Sequence, residues 1–118
     1  MNYKSLLNEA KFIGKTYSSK NVFYIYTCGS GFLILTIKDS TSGYFKIISD
    51  KTVSFVHKKL SGIKSISSTD SYKMCSKSKY VEDAFMFRSA MYILCAKKHA
   101  KITKVVGNKM YFGIKKCA

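Results

Sequence analysis

The chain has 118 residues, the usual size of one domain, and its 47% hydrophobic content is ordinary for a globular protein. We therefore expect a single domain over residues 1–118, and the composition excludes a disordered chain. The formal net charge of +15 comes from 21 Lys and Arg against 6 Asp and Glu, and such an excess opposes folding through self-repulsion. The charge therefore indicates a polyanionic partner.

The first half of the chain predicts a helix followed by strands. Residues 1–13 place apolar side chains at helical intervals, and Gly14 follows as a stop signal, which predicts an N-terminal amphipathic helix. Residues 21–28 and 32–38 are rich in β-branched and aromatic residues and flank a Gly-Ser turn, which predicts a hairpin. Residues 44–49 and 52–57 are predicted to extend it to an antiparallel β-meander of three to four strands.

Both faces of the predicted hairpin are mostly apolar, as is typical of central strands that are covered twice or paired with a partner. With the two strands paired in register, the first face carries Val22, Tyr24, Tyr26, Leu33, Leu35 and Ile37. The second face carries Phe23, Ile25, Thr27, Phe32, Ile34 and Thr36.

The second half predicts a loop, a helix and a second hairpin. Residues 58–78 are rich in Ser, Lys and Gly and predict a long basic loop with a short strand near 63–66. Residues 79–99 predict a long helix with Ser78 as N-cap. That helix is apolar almost all round, so it is either central or part of a homodimer interface. The predicted fold class is α+β.

Residues 101–106 and 109–115 flank Gly107-Asn108, which predicts a C-terminal β-hairpin with a two-residue loop. Such a loop pairs Val105 with Met110 and Lys104 with Tyr111. The residues expected to face inward are Val105, Met110, Phe112 and Ile114.

The basic residues concentrate toward the C-terminus, where residues 84–118 contain eight of them and no acid. Lysines neutralise phosphates, and an exposed tyrosine offers a surface on which bases stack. Lysines also protect edge strands and solvate loops, so the same residues are compatible with a merely soluble surface. The candidate nucleic-acid-binding residues are Lys97, Lys98, Lys101, Lys104, Lys109, Tyr111, Lys115, Lys58, Lys59 and Lys64.

Arg88 is the only arginine. Lysine lacks the two-pronged fork that recognises guanine, which favours recognition of backbone and shape over a specific duplex sequence. We therefore expect a small nucleic-acid-binding protein for which RNA is favoured over DNA, or single strands over duplex. Abundant Lys, Ile, Tyr, Phe and Asn, without Pro or Trp, are typical of an AT-rich coding sequence, as in a phage, a mobile element or an AT-rich bacterium. A phage or mobile-element factor of this kind would act on host nucleic acid or on its complexes. The lysine excess can partly reflect that coding bias.

Two other function classes remain open. His57 and His99 are the only histidines, and as base and acid they could make the protein a metal-independent ribonuclease or toxin. A protein-binding inhibitor that docks on an acidic enzyme surface is the other alternative. The sequence leans toward a protein that is not an enzyme.

Four cysteines without paired spacing, and no signal-peptide pattern, predict free thiols and a cytoplasmic protein. Cys95 and His99 lie one helical turn apart, but no CxxC pair accompanies them, so we expect no metal site. No P-loop or GxSxG pattern occurs, and we expect no cofactor. No apolar stretch is long enough to cross a membrane, so we expect no membrane partner.

Overall fold

The computed structural model describes residues 10–17, 21–37 and 42–117. The strands are β1 (Lys11–Tyr17), β2 (Val22–Cys28), β3 (Gly31–Ile37), β4 (Gly43–Ser49), β5 (Ile66–Ser67), β6 (Ala100–Val106) and β7 (Lys109–Ile114). The helices are α1 (Asp50–Leu60), α2 (Ser68–Cys75) and α3 (Ala84–Ala96). The fold is α+β, as predicted, with a four-strand antiparallel meander in the order β1-β2-β3-β4 and a three-strand sheet in the order β5-β7-β6.

The central hairpin of β2 and β3 has the predicted register. Phe23 pairs with Thr36, and Ile25 pairs with Ile34. These four side chains are buried on the face that packs against the helices, whereas the opposite face is only partly covered. The meander is therefore anchored to the core by the face that begins at Phe23.

The first strand of the meander, β1, comes from a part of the chain that was predicted to be helical. Residues 1–9 of the predicted N-terminal helix lie outside the described residues, and residues 11–13 belong to β1. Gly14, interpreted from sequence as a helix stop, lies inside this strand. A Cβ there would approach the carbonyl oxygen of Ala96 to 2.9 Å, so glycine allows β1 to pack closely on α3.

The predicted strand at residues 52–57 is wrong, because these residues form the middle of α1. Ser49 caps the helix, its hydroxyl accepting a hydrogen bond from the Lys51 N–H at 3.1 Å. Thr52, Val53, Val56 and Leu60 are buried on one helical face. The β-branched Thr52, Val53 and Val56 are typical of a strand, but the helix start signal at Ser49 and Asp50 outweighs this preference.

The predicted loop over residues 58–78 is also partly wrong. It contains β5, which overlaps the expected short strand at Ile66, and the eight-residue helix α2. The Ser67 hydroxyl accepts a hydrogen bond from the Asp70 N–H at 3.1 Å and caps α2. The helix is short and rich in polar residues, so its apolar periodicity is weak in the sequence.

Helix α3 lies where a long helix was predicted but is shorter, because Asp83 rather than Ser78 caps it. The Asp83 Oδ1 accepts a hydrogen bond from the Met86 N–H at 2.8 Å. An almost wholly apolar helix predicts that Phe85, Met91, Tyr92 and Leu94 are buried. Met91 and Leu94 are buried and Tyr92 is half-buried, but Phe85 is 41% exposed. The meander, α1 and β6 all contact α3, so the helix is central. A dimer through this helix is not needed to account for its apolar surface.

The C-terminal hairpin has the predicted pairing, with Val105 opposite Met110 and Lys104 opposite Tyr111. Phe112 and Ile114 are buried, but Val105 is 59% exposed and does not face inward. The register shifts between Ile102 and Lys104, and β6 is exposed from Lys101 to its end. The tip of the hairpin therefore extends beyond the core.

None of the described helices is long and apolar enough to span a membrane.

Candidate functional site

Four lysines from separate parts of the chain line one cleft of about 350 Å³, here called the lysine cleft. Lys64 comes from the loop before β5, Lys98 from the turn after α3, Lys101 from β6, and Lys115 from the position after β7. Gly62, Ile63, Ala100, Gly113 and Ile114 form the rest of its wall. The cleft therefore combines flexible cationic groups with a small, mostly apolar floor.

Hydrogen bonds donated by backbone N–H groups hold the three segments of the lysine cleft together. The Ile114 N–H donates to the Ile63 carbonyl at 2.8 Å, and the Lys115 N–H donates to the His99 carbonyl at 2.8 Å. The Cys117 N–H donates to the Ser61 hydroxyl at 2.7 Å. The loop before β5 and the turn after α3 are thereby both fixed to the end of β7.

Two backbone features bring the lysines close to this end of β7. Lys98 has a φ of 64°, a left-handed conformation that glycine usually occupies after a helix. Gly113 lies so near the chain before β5 that a Cβ would meet the Lys64 carbonyl oxygen at 2.7 Å. Lys98 therefore occupies a position where glycine would be less strained. Gly113 occupies a position where a side chain would push β7 away from the chain before β5.

A second opening of about 390 Å³ adjoins the lysine cleft. Lys98, Lys101 and Lys115 line both openings, and Thr16, Cys95 and Ile102 complete the second one. These three lysines therefore stand between two neighbouring openings, which lengthens the basic surface beyond a single phosphate site.

Three of the four described acids lie at the starts of helices. Asp50 and Asp70 lie in the first turns of α1 and α2, and Asp83 caps α3. Carboxylates are favourable there because a helix N-terminus is positively polarised. None of the described residues that line the lysine cleft is acidic. The lysines of the cleft are therefore not neutralised by a lining carboxylate.

Helix ends explain only some of the basic residues. Lys58 and Lys59 lie in the last turn of α1, and Lys97 is the C-cap of α3. Cations are stabilising at these positions because the C-terminal end of a helix is negatively polarised. Lys64, Lys101 and Lys115 lie outside helices, so helix polarity does not account for them.

The remaining candidates lie outside the lysine cleft. The Lys97 ammonium lies 5.2 Å from the ring centroid of Phe32, and Lys109 begins β7 at the exposed end of the hairpin. The Lys104 ammonium lies 4.5 Å from the ring centroid of Tyr111. Because Lys104 lies over Tyr111, this ring is a poorer stacking surface than the sequence suggests.

The two histidines, far apart in sequence, are stacked with ring centroids 5.1 Å apart. The Nε2 of His57 lies 2.9 Å from the Lys115 carbonyl oxygen and must donate, since a carbonyl only accepts. The Nδ1 of His99 is buried without a partner. Burial first, then the charges of Lys97, His57 and Lys115, lower the pKa of His99 below its usual value.

Nothing in the described part of the chain assembles a metal site, because no three His, Cys, Asp or Glu residues gather there. Burial raises the pKa of the Cys95 thiol to about 11, so it stays protonated near neutral pH. Sequence reasoning did not identify Gly62, Ile63 and Gly113 as wall residues, because only the pairing of β7 brings them to the lysines.

Comparisons with known proteins found no relative. No family model, curated protein or solved structure matches the sequence.

Proposed function

We propose that the chain binds nucleic acid by holding its phosphates in the lysine cleft. The observation that carries this proposal is the convergence of Lys64, Lys98, Lys101 and Lys115 in one cleft without a lining carboxylate. Lysine is a point charge suited to phosphate oxygens, and its contacts position a strand without identifying bases. The net charge of +15 favours a polymer of phosphates over a single small anion.

RNA and single strands are favoured over a specific duplex site. Helices α2 and α3 follow one another as in helix-turn-helix proteins, in which the second helix enters the major groove. Here α3 is packed between the meander and α1, and most of its residues after Arg88 are buried. It therefore has no long free face with which to enter a groove.

The test is the salt dependence of binding to a single-stranded oligonucleotide. If four lysines each neutralise one phosphate, affinity should fall roughly fiftyfold between 50 and 200 mM salt. A variant with Lys98, Lys101 and Lys115 changed to Gln should bind more weakly and reduce the slope by about 2.

A matched control removes three exposed lysines from elsewhere, with Lys51, Lys73 and Lys77 changed to Gln. It has the same net charge as the cleft variant and should lose much less affinity. Equal losses in the two variants would show that charge alone, not the cleft, is responsible. A wild-type protein that purifies free of nucleic acid at low salt and binds none would overturn the proposal.

A metal-independent ribonuclease is the second candidate, and the stacking of His57 on His99 favours it. The lowered pKa of His99 suits a base that is neutral at physiological pH. The test is cleavage of RNA in excess chelator, which His99→Ala should abolish if the pair is catalytic. Intact RNA after incubation with the wild-type protein would eliminate this candidate and leave phosphate binding.

A further inference from the structure

A second cleft, of about 320 Å³, lies between the meander and the first turns of α3. It is here called the arginine cleft, because Arg88 lines it. The residues of α3 that line it are Phe85, Arg88, Ser89 and Tyr92. These positions are three or four residues apart and so lie on one helical face. The opposite wall is the inner face of the sheet.

The sheet wall of the arginine cleft is a row of side chains across three strands. Thr36 of β3 pairs with Phe23 on one side and with Tyr44 on the other. In the next row, Lys46 of β4 pairs with Ile34. Regular pairing on one wall and a helix on the other fix the shape of this cleft more firmly than loops would.

Aromatic rings make up much of the cleft. The rings of Phe23 and Tyr92 stack with centroids 4.3 Å apart and an interplanar angle of 18°. This contact crosses from sheet to helix and holds Tyr92 in place. On the opposite side, the Lys46 ammonium lies 3.6 Å from the ring centroid of Phe85. The cleft therefore contains a fixed aromatic pair, Phe23 and Tyr92, and also a cation, Lys46, that lies over the ring of Phe85.

The polar side chains of the cleft are cationic or hydroxylic, apart from the amide of Asn21. Arg88 is the only arginine of the chain, and its planar guanidinium can donate two parallel hydrogen bonds to a phosphate. Thr36 is 2% exposed and Ser89 is 6% exposed, so both hydroxyl-bearing residues are almost fully buried in the wall. None of the described lining residues is acidic. Burial raises the pKa of Tyr92, which keeps its hydroxyl protonated as a donor.

We propose that the arginine cleft binds one nucleoside monophosphate, with the base against the aromatic wall and the phosphate between Arg88 and Lys46. Phe23 and Tyr92 already stack on each other, so the base packs mainly against Tyr44 and Phe85, which are 42% and 41% exposed. The hydroxyls supply hydrogen bonds to the edge of the base or to the ribose. The volume is at the lower end of the range for ligand pockets, which suits one nucleotide rather than a length of strand.

This site goes beyond the proposed function, because none of its residues lines the lysine cleft. The same chemistry is present in a free nucleotide and in the phosphorylated end of a strand. The two sources are separated by comparing uridine 5′-monophosphate with a short oligonucleotide that carries or lacks a 5′-phosphate.

The experiment is isothermal titration of the full chain with uridine 5′-monophosphate, uridine, ribose 5-phosphate and inorganic phosphate. The monophosphate should bind most tightly, and removal of the base or of the phosphate should weaken binding roughly tenfold or more. The other three nucleoside monophosphates then report which base the wall prefers. Equal affinity for inorganic phosphate and the nucleotide would overturn the proposal, as would no binding of the nucleotide.

Variants locate the nucleotide on the protein. Arg88→Gln should weaken binding of the monophosphate roughly tenfold or more, and Arg88→Lys should recover only part of it because the fork is lost. Arg88 is exposed, so these variants should fold. Lys73→Gln on α2 removes the same charge elsewhere and should leave the affinity unchanged.

The lysine variant separates failure of this site from failure of the proposed function. With Lys98, Lys101 and Lys115 changed to Gln, nucleotide binding should persist while oligonucleotide binding falls. If the nucleotide is lost from this variant and retained by Arg88→Gln, it binds in the lysine cleft. That result would overturn the arginine site and leave the proposed function intact.

Discussion

The lysine cleft and the arginine cleft carry charge of the same sign but differ in what surrounds it. The lysine cleft has four ammonium groups above glycine, alanine and isoleucine, whereas the arginine cleft has one guanidinium and one ammonium among four aromatic side chains. Ammonium groups on flexible stems hold phosphates in many orientations, and a planar fork beside fixed rings favours one orientation. The first cleft is therefore suited to a polymer, and the second to a single nucleotide.

The two clefts also differ in how the chain builds them. The lysine cleft is formed where elements end, at the turn after α3 and the residues around β7. The arginine cleft is formed by paired residues of the neighbouring strands β2, β3 and β4 and by one face of α3. Because α3 lines the arginine cleft and the turn after it lines the lysine cleft, a change in the packing of α3 should affect both clefts. A change in one lining residue should affect only one of them.

The largest expected effect comes from Leu94→Ala, since Leu94 is fully buried in the middle of the core. Lost burial and a residual cavity should lower the free energy of unfolding by roughly 2 to 5 kcal/mol. Urea unfolding measures it, and binding at each cleft should be lost at the same urea concentration. If one site is lost at a much lower urea concentration than the other, the two clefts do not unfold in one cooperative transition.

The second prediction concerns separation of the two sites. The triple lysine variant should weaken oligonucleotide binding without changing nucleotide binding, and Arg88→Gln should do the reverse. Each lost phosphate contact should reduce the salt slope for a single strand by about 0.7. Fluorescence anisotropy at several salt concentrations gives the slope, and titration calorimetry gives nucleotide affinity. If both variants lose affinity for both ligands to a similar extent, the two ligands share one site.

The third prediction concerns Lys98 alone, whose left-handed backbone is unfavourable for a residue with a side chain. Lys98→Gly should raise the free energy of unfolding by about 1 kcal/mol while weakening oligonucleotide binding severalfold. Urea unfolding and anisotropy on the same preparation measure the two effects. Lys97→Gly serves as the control. Lys97 has an ordinary helical φ of −77°, so glycine at this position should lower the free energy of unfolding. A fall in stability for Lys98→Gly would contradict the assigned strain.

The smallest expected effect is a pH dependence at His99. Its pKa is lowered in the folded protein, so the unfolded chain takes up the proton first as the pH falls below about 6.5. The free energy of unfolding should therefore decrease from pH 7.5 toward pH 5.5. His99→Gln should reduce that decrease, as measured by urea midpoints at the two pH values. An unchanged pH dependence in the variant would assign it to other groups.

The central hairpin shows how much local pattern can determine. The turn at Gly29 and Ser30 and the two apolar runs around it predicted the register of β2 and β3, which is confirmed. The same holds for the turn at Gly107 and the pairing of β6 with β7. In both cases the interacting residues are close in sequence, so a short window contains the information that fixes them.

Residues 50–60 show where local pattern fails. Thr52, Val53 and Val56 have strand-forming character, but the Ser49 cap and burial against α3 make them helical. Likewise the exposed Val105 could not be recognised, because alternation alone does not reveal where the hairpin leaves the core. Tertiary packing overrides propensity when the two compete.

The candidate sites divide in the same way. The sequence by itself determined the excess of basic residues, the acid-free C-terminal third and the identity of most lysines in the basic surface. Only the tertiary structure decided that Lys64 lies with Lys98, Lys101 and Lys115, and that Arg88 faces aromatic residues of the meander. The physical reason is that charge is a property of composition, whereas a cleft exists only where segments distant in the chain pack side by side.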